Sequence, residues 1–244
     1  MHVFGNAANI SKLVAICKKR NIKIIEDASE SLGTKYLKSN LKNKFTGTIG
    51  EINAISFNGN KIITSGGGGV ILTNSFKHYK KARYLINQAK DNSINYIHND
   101  IGYNYRLSNL QAAIGLAQLE KINFFLKKKR EINQIYKKKI NKINGLSILS
   151  GPNYANNNNW LNILVIDTKN YKDNAYKLVK KLISKGINVR NIWHPNHLQK
   201  KFISFERHNI NKSLEYCSRM LCLPSSNNIT RKEIVKIANI LNGK

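Results

Sequence analysis

Acidic side chains are scarce in this 244-residue chain: 13 Asp and Glu stand against 41 Lys and Arg, a formal net charge of +28. Such an imbalance points first to nucleic acid. Specific nucleic-acid binders gather their charge on one face or helix, whereas here the basic residues run along the whole chain. Lys, Asn and Ile are abundant together, and all three have A/T-rich codons. The charge therefore reads as coding bias, and no specific nucleic-acid partner is expected. A positive field also favours an anionic small substrate. Cysteine is equally sparse. Cys17, Cys217 and Cys222 form neither a paired framework nor a metal-ligand spacing, so they read as reduced thiols of a cytoplasmic protein. No apolar run is long enough to span a bilayer. Met1–Asn6 has no charged or apolar leader pattern, so neither a signal peptide nor membrane attachment is expected.

What is present is an ordinary 41% of hydrophobic residues, enough for one large domain or two small ones. Ile10, Leu13, Val14 and Ile16 repeat at helical spacing. Ile22–Ile25 reads as a buried strand, Ile52–Phe57 as a second and Val70–Thr73 as a third. Strands alternating with helices predict a mostly parallel sheet, and in such sheets ligands sit beyond the carboxyl ends of strands. Phe76–Ala89 reads as a basic helix. Ser108-Asn109-Leu110-Gln111 is a capping box that opens a long helical stretch. A further helix is expected from Glu131 to Ile143, then an exposed loop over Gly151–Asn159. Leu161–Ile166 reads as a strand, Tyr171–Ser184 as a helix ended by Gly186, and Ile187–Ile192 as a strand. Thr230-Arg231-Lys232-Glu233 opens the last helix.

Two segments carry chemistry. In Ser56-Phe57-Asn58-Gly59-Asn60-Lys61-Ile62-Ile63-Thr64-Ser65, Lys61 lies just past a strand and just before Gly66–Gly69. A lysine in that setting can form a Schiff base with a carbonyl cofactor. In Ile24-Ile25-Glu26-Asp27-Ala28-Ser29-Glu30-Ser31, another apolar strand ends in an acid. The glycines lack the strand–GxGxxG–helix context of a nucleotide loop and read as backbone packing. His194 and His197 are three apart, but Pro195 breaks a helix there and no second cluster adds ligands, so no metal site is expected.

Together the two segments resemble the pyridoxal-phosphate sugar aminotransferases of the DegT/DnrJ/EryC1/StrS family, most of all the subgroup of legionaminic acid and bacillosamine synthesis. The resemblance implies an α/β fold of type I. It has a three-layer α/β/α large domain, residues 1–127 and incomplete here, and a small C-terminal α+β domain, residues 128–244. It makes Lys61 the catalytic lysine. Dehydrases of the family carry histidine there, so lysine implies amino transfer. Asp27 would pair with the pyridine nitrogen, Glu30 would lie near the ring oxygen, and Ser56 would hold the cofactor phosphate. Asn104, in Gly102-Tyr103-Asn104-Tyr105-Arg106-Leu107-Ser108, would reach the phosphate of a neighbouring subunit, making a homodimer with a shared active site. Arg190 and His197, in Val189–Gln199, would face the substrate. The implied reaction moves an amino group from glutamate to a UDP- or GDP-linked 4-keto-6-deoxy sugar, for cell-surface polysaccharide or nonulosonic acid synthesis.

Relatives carry further sequence before the point matching Met1, which supplies first strands and a phosphate loop at a helix N-terminus. The expectation is an N-terminally truncated chain or one half of a split enzyme, with an unpaired sheet edge and exposed apolar surface. A catalytically inactive, dimerising remnant is the alternative.

Overall fold

A computed structural model describes residues 1–243. In chain order its elements are α1 (Ser11–Lys19), β1 (Ile25–Asp27), β2 (Lys35–Tyr36), β3 (Ile52–Ser56), β4 (Gly69–Leu72), α2 (Phe76–Ile86), β5 (Lys90–Asn92), β6 (Ile97–His98), α3 (Asn109–Glu120) and α4 (Ile122–Ile140). There follow β7 (Leu146–Ile148), β8 (Ala155–Asn156), β9 (Asn162–Ile166), α5 (Ala175–Ser184), β10 (Arg190–Asn191), α6 (Asn211–Arg219), β11 (Met220–Leu223) and α7 (Arg231–Leu241). The chain divides into two compact units: Met1–Lys127 with Gly151–Trp160, and Lys128–Ser150 with Leu161–Lys244.

In the first unit a sheet runs in the order β1-β3-β4. β1 and β3 are parallel, with Asp27 opposite Ala54. β4 returns antiparallel, with Gly69 opposite Ser56. The expectation of a mostly parallel sheet thus holds for one pair of strands and fails for the other. Residues 57–68, which join β3 to β4, are turns and bends with no helix, so the chain makes no helical crossover of the kind a parallel return uses. The strand expected at Ile22–Ile25 lies later, at Ile25–Asp27. Ile22 and Ile25 are exposed, at 54% and 72%. It is Glu26, a charged residue, that faces inward, because its carboxylate finds four hydrogen-bond donors there. α1 leaves Leu13 and Ile16 exposed as well. Ser108 caps α3 through a reciprocal capping box with Gln111, as its sequence predicts.

Gly151–Asn159, expected as an exposed loop, is exposed only in part. Ala155, Asn157 and Asn158 are buried, and β8 pairs with β2 within the first unit. The asparagines are tolerated because each amide finds partners: Asn157 binds the Ala7 N–H and the Asn6 side chain, and Asn158 binds the carbonyls of Glu30 and Leu32.

In the second unit an antiparallel sheet has the order β10-β11-β9-β7. α4 sends Ile132, Tyr136 and Ile140 into one core, at successive four-residue steps. Leu178 and Leu182 of α5 and Ile234, Ile237 and Leu241 of α7 meet them. Gly186 follows α5 with φ +76°, the left-handed conformation that stops a helix. Thr230 and Glu233 form the capping box of α7. Among the described residues no helix is long and apolar enough to cross a membrane, and no group of three or more His, Cys, Asp or Glu is arranged to hold a metal ion.

Lys129 is 5% exposed in this unit. Its amine donates to the Ser225 carbonyl, and burial pushes its pKa down to about 8. The unfolded chain keeps that proton up to the ordinary value of 10.5. Between the two values the unfolded state binds more protons, so stability rises with pH through that window and is flat, for this group, below it. Lys129→Met removes the rise. Urea melts of both proteins from pH 7 to 10 are expected to show wild type gaining about 2–3 kcal/mol relative to the variant. Parallel pH profiles would show that Lys129 is not desolvated in the folded chain.

Candidate active site

β1 ends at Asp27 and β3 at Ser56, and because the two strands are parallel both residues sit at carboxyl ends on the same side of the sheet. Such an edge gathers ligands, since the strands stop there while backbone groups remain to bind them. After β3 the chain turns. Asn58 donates its N–H to Ser56 Oγ at 3.2 Å, and Lys61 donates its own to the Asn58 carbonyl at 3.0 Å. Ser56 Oγ is thereby an acceptor, which leaves its hydroxyl proton for another oxygen. Ile62 and Ile63 are buried at 4% and 1%, so the backbone just after Lys61 is pinned while the lysine side chain is half-buried. Gly69 is required in this turn's return strand, because a Cβ there would lie 2.3 Å from the Ile55 carbonyl oxygen.

The side chains of Asp27, Glu30 and Lys61 act on one another electrostatically. Asp27 accepts the Ser29 N–H at 3.1 Å and the Ser29 hydroxyl. Burial raises its pKa, but the two Ser29 bonds, the charge of the chain's amino terminus and that of Lys61 together outweigh it, so the carboxyl is held below its ordinary range. For Lys61, burial lowers the amine's pKa, and the carboxylates of Glu30 and Asp27 restore only part of the loss. Glu30 is 6% exposed and accepts the Phe4 N–H at 2.6 Å. Asp27, Glu30 and Lys61 are therefore within electrostatic reach of one another.

Ser29, Ser56 and Asn104 line one cavity of about 810 Å³ in the first unit, with Tyr79, Arg83 and Gln111. Asn104 is exposed and bridges Asn87, and its chain neighbours Tyr103 and Tyr105 stack on each other. Arg190 and His197 belong to the second unit. The exposed Arg190 guanidinium donates to Asn188 and to the Val189 carbonyl. His197 lies in a short 3-10 turn, Asn196–Leu198, and its buried Nε2 has no hydrogen-bond partner among the described residues.

Three residues outside the sequence reading shape this site. Trp160 is 1% exposed. Its ring centroid lies 4.3 Å from Lys61 Nζ, and its indole N–H donates to the Asn60 carbonyl at 2.6 Å. The signal available in the sequence was a tryptophan closing an asparagine run, which composition alone marks as a loop. His2 and Glu26 are the other two. His2 Nε2 and Glu26 Oε1 are 2.9 Å apart, while His2 Nδ1 accepts the Ala8 N–H at 3.0 Å. With Nδ1 an acceptor, Nε2 carries the proton and donates to the carboxylate. The His2 N–H also donates to the Asp27 carbonyl at 3.0 Å, so one residue braces both Glu26 and its neighbour Asp27.

Comparison with known proteins gives the same picture of relationship. The chain is 36% identical over 247 residues to the putative pyridoxal phosphate-dependent aminotransferase EpsN of Bacillus subtilis (strain 168), covering 99% of this chain and 61% of that protein. It is 33% identical to the GDP-perosamine synthase of Escherichia coli O157:H7, covering 99% of this chain and 64% of that protein. The crystal structure of DesI with its TDP-sugar product superposes with a TM-score of 0.88 at 20% identity, over 99% of this chain and 60% of that one. The chain thus spans less than two thirds of the length of these relatives, and its two units have the fold type I architecture of that structure. Residues 1–242 match the family as a whole, and on that match and those identities the chain belongs to the DegT/DnrJ/EryC1/StrS aminotransferase family.

Proposed function

We propose that this chain carries the lysine-bearing part of a pyridoxal-phosphate-dependent aminotransferase acting on a nucleotide-linked keto sugar. The observation that carries the reading is one of placement: Asp27 closes β1 and is held by the Ser29 N–H, and Lys61 lies in the turn just past the parallel β3, half-buried and attracted by the carboxylates of Asp27 and Glu30. These groups fit the cofactor. A depressed amine supplies the neutral nucleophile that condensation with an aldehyde requires, and an ionised carboxylate suits a protonated pyridine nitrogen. Bound pyridoxal phosphate supplies the aldehyde and an electron-accepting ring.

The residues then divide the work. Lys61 would hold the cofactor through its aldehyde carbon and, once displaced, would carry a proton on Nζ to and from the substrate carbon. Asp27 would accept from the ring nitrogen and keep it charged. Glu30 would serve the ring oxygen. Ser56 would donate its spare hydroxyl proton to the phosphate. Asn104 serves the phosphate of a second copy in a homodimer, a role supported by its exposure beside the 72%-exposed Tyr105. Arg190 and His197 hold the sugar nucleotide. The amino donor is glutamate. The acceptor is a UDP- or GDP-linked 4-keto-6-deoxy sugar, a class supported by the GDP- and TDP-linked sugars in the names of related proteins.

The test is the donor half-reaction. Chain loaded with pyridoxal phosphate is mixed with glutamate, and 2-oxoglutarate is measured. One equivalent per site is expected, with Asp27→Asn slowed about 10²–10³-fold by the lost electrostatic stabilisation. A loaded chain that releases no keto acid from any amino acid would overturn the aminotransferase reading.

A further inference from the structure

We infer that Trp160 is the positioning residue of the Lys61 amine: its indole face partly offsets burial by favouring the charged form, and fixes where that form rests. Only the consequence for amino transfer depends on the function proposed above. The geometry stands without it.

The indole is held from two sides. Its ring N–H donates to the Asn60 carbonyl, the residue before the lysine. Its backbone N–H donates to Asn158 Oδ1 at 2.9 Å. Asn158 is fully buried, and its amide nitrogen binds the carbonyls of Glu30 at 2.9 Å and Leu32 at 3.0 Å. Its own N–H donates to Thr34 Oγ1 at 3.0 Å. The ring is therefore clamped to the backbone that carries Glu30 and to the backbone that carries Lys61. With Trp160 1% exposed and Lys61 Nζ 4.3 Å from the ring centroid, the indole side of the cation–π contact is shut off from water while the lysine is half-buried, a setting between the exposed and the fully desolvated case.

A ring quadrupole attracts the ammonium but not the neutral amine. Three groups thus favour the charged lysine: the carboxylates of Asp27 and Glu30 and the face of Trp160. Burial opposes all three. Removing the ring face should lower the Lys61 pKa by about one further unit. In a transaminase, the released lysine must be protonated and then give that proton back. The indole face would be the resting place of the protonated side chain between those two events.

The experiment needs no cofactor. The chain has two tryptophans, Trp160 and Trp193, so Trp193→Phe leaves Trp160 as the single indole reporter. Its emission is expected to titrate with pH through the Lys61 pKa, and adding Lys61→Met should abolish that titration. In parallel, competitive acetylation of Lys61, read by peptide mass mapping across pH, should show the amine's pKa lowered by about one unit in Trp160→Leu. Trp160→Phe, which keeps a ring face without the N–H, should retain most of the wild-type value. Emission that is flat with pH, or unchanged by Lys61→Met, would overturn the inference. So would equal pKa shifts in the Phe and Leu variants, which would assign the effect to the lost N–H bond. A failed cofactor experiment beside a positive titration would remove the proposed function and leave this inference intact.

Discussion

Glu26→Ala is expected to cost about 3–5 kcal/mol of stability, enough to unfold the first unit at ordinary temperatures. Glu26 is 3% exposed. Its two oxygens accept from His2 Nε2 at 2.9 Å and from the N–H groups of Gly47, Ile49 and Gly50 at 3.0, 2.6 and 2.8 Å. Truncation removes one acceptor set and strands three backbone donors and an imidazole. Each buried donor left unmade costs more than its hydrogen bond contributed when made. The damage should reach the candidate site, because Glu26 adjoins Asp27 and His2 braces both.

The same cage gives a pH dependence of known sign. Burial pushes the Glu26 carboxyl up, but the His2 bond and the three backbone donors outweigh it and hold the pKa below the ordinary 4.5. Its contribution to stability is therefore full above pH 4.5 and is lost as pH falls through the lower folded value. Glu26→Gln keeps one acceptor but turns an amide N–H₂ toward donors. It should be destabilised at neutral pH and lose the part of the acid sensitivity that Glu26 contributes. Thermal melts from pH 3 to 7 check both expectations. A variant as stable as wild type at neutral pH would mean the cage is not formed.

Lys61→Ala is the second large effect. A band near ~420 nm, the signature of a lysine-linked pyridoxal group, is expected on adding pyridoxal phosphate to wild type and should be absent in the variant. The chain has 41 lysines and arginines, so stray surface reaction is the competing outcome. Burial depresses the pKa of Lys61, as it does that of Lys129, but Lys129 is enclosed with its amine on the Ser225 carbonyl. Lys61 is only half-buried, its backbone is tied to Asn58, and Ile62 and Ile63 anchor the next two positions. A surface lysine keeps an ordinary pKa and is mostly protonated at neutral pH, which makes it a poor nucleophile. A band of equal size in Lys61→Ala would assign it to such residues.

Local features of the site were legible in the sequence, and long-range ones were not. The places of Asp27 and Ser56 at strand ends, with Lys61 in the turn beyond Ser56, were legible because short apolar runs and turns mark them; the roles given to them come from the family resemblance. The capping boxes at Ser108 and Thr230 were legible for the same reason: both partners lie within one turn of helix. The phase of β1 was misread because hydrophobicity predicts Ile25 inside, whereas four donors from His2 and the Gly47–Gly50 turn draw Glu26 in instead. Asn157 and Asn158 within the Asn156–Asn159 run were misread for the same physical reason, while Asn156 is exposed as expected. Asparagine is a loop residue by composition, yet a fully satisfied amide can be buried. Trp160 was missed because its partners, Asn60 and Lys61, lie far away in the chain. No local spacing encodes such a contact.

The central claim is that Lys61 is the lysine that binds the cofactor, and one measurement tests it most directly. The chain is incubated with pyridoxal phosphate, reduced with borohydride, digested and mapped by mass spectrometry. The account predicts a single dominant modified peptide, carrying the pyridoxyl group on Lys61. Label spread over many lysines, or concentrated on a different one, would contradict it.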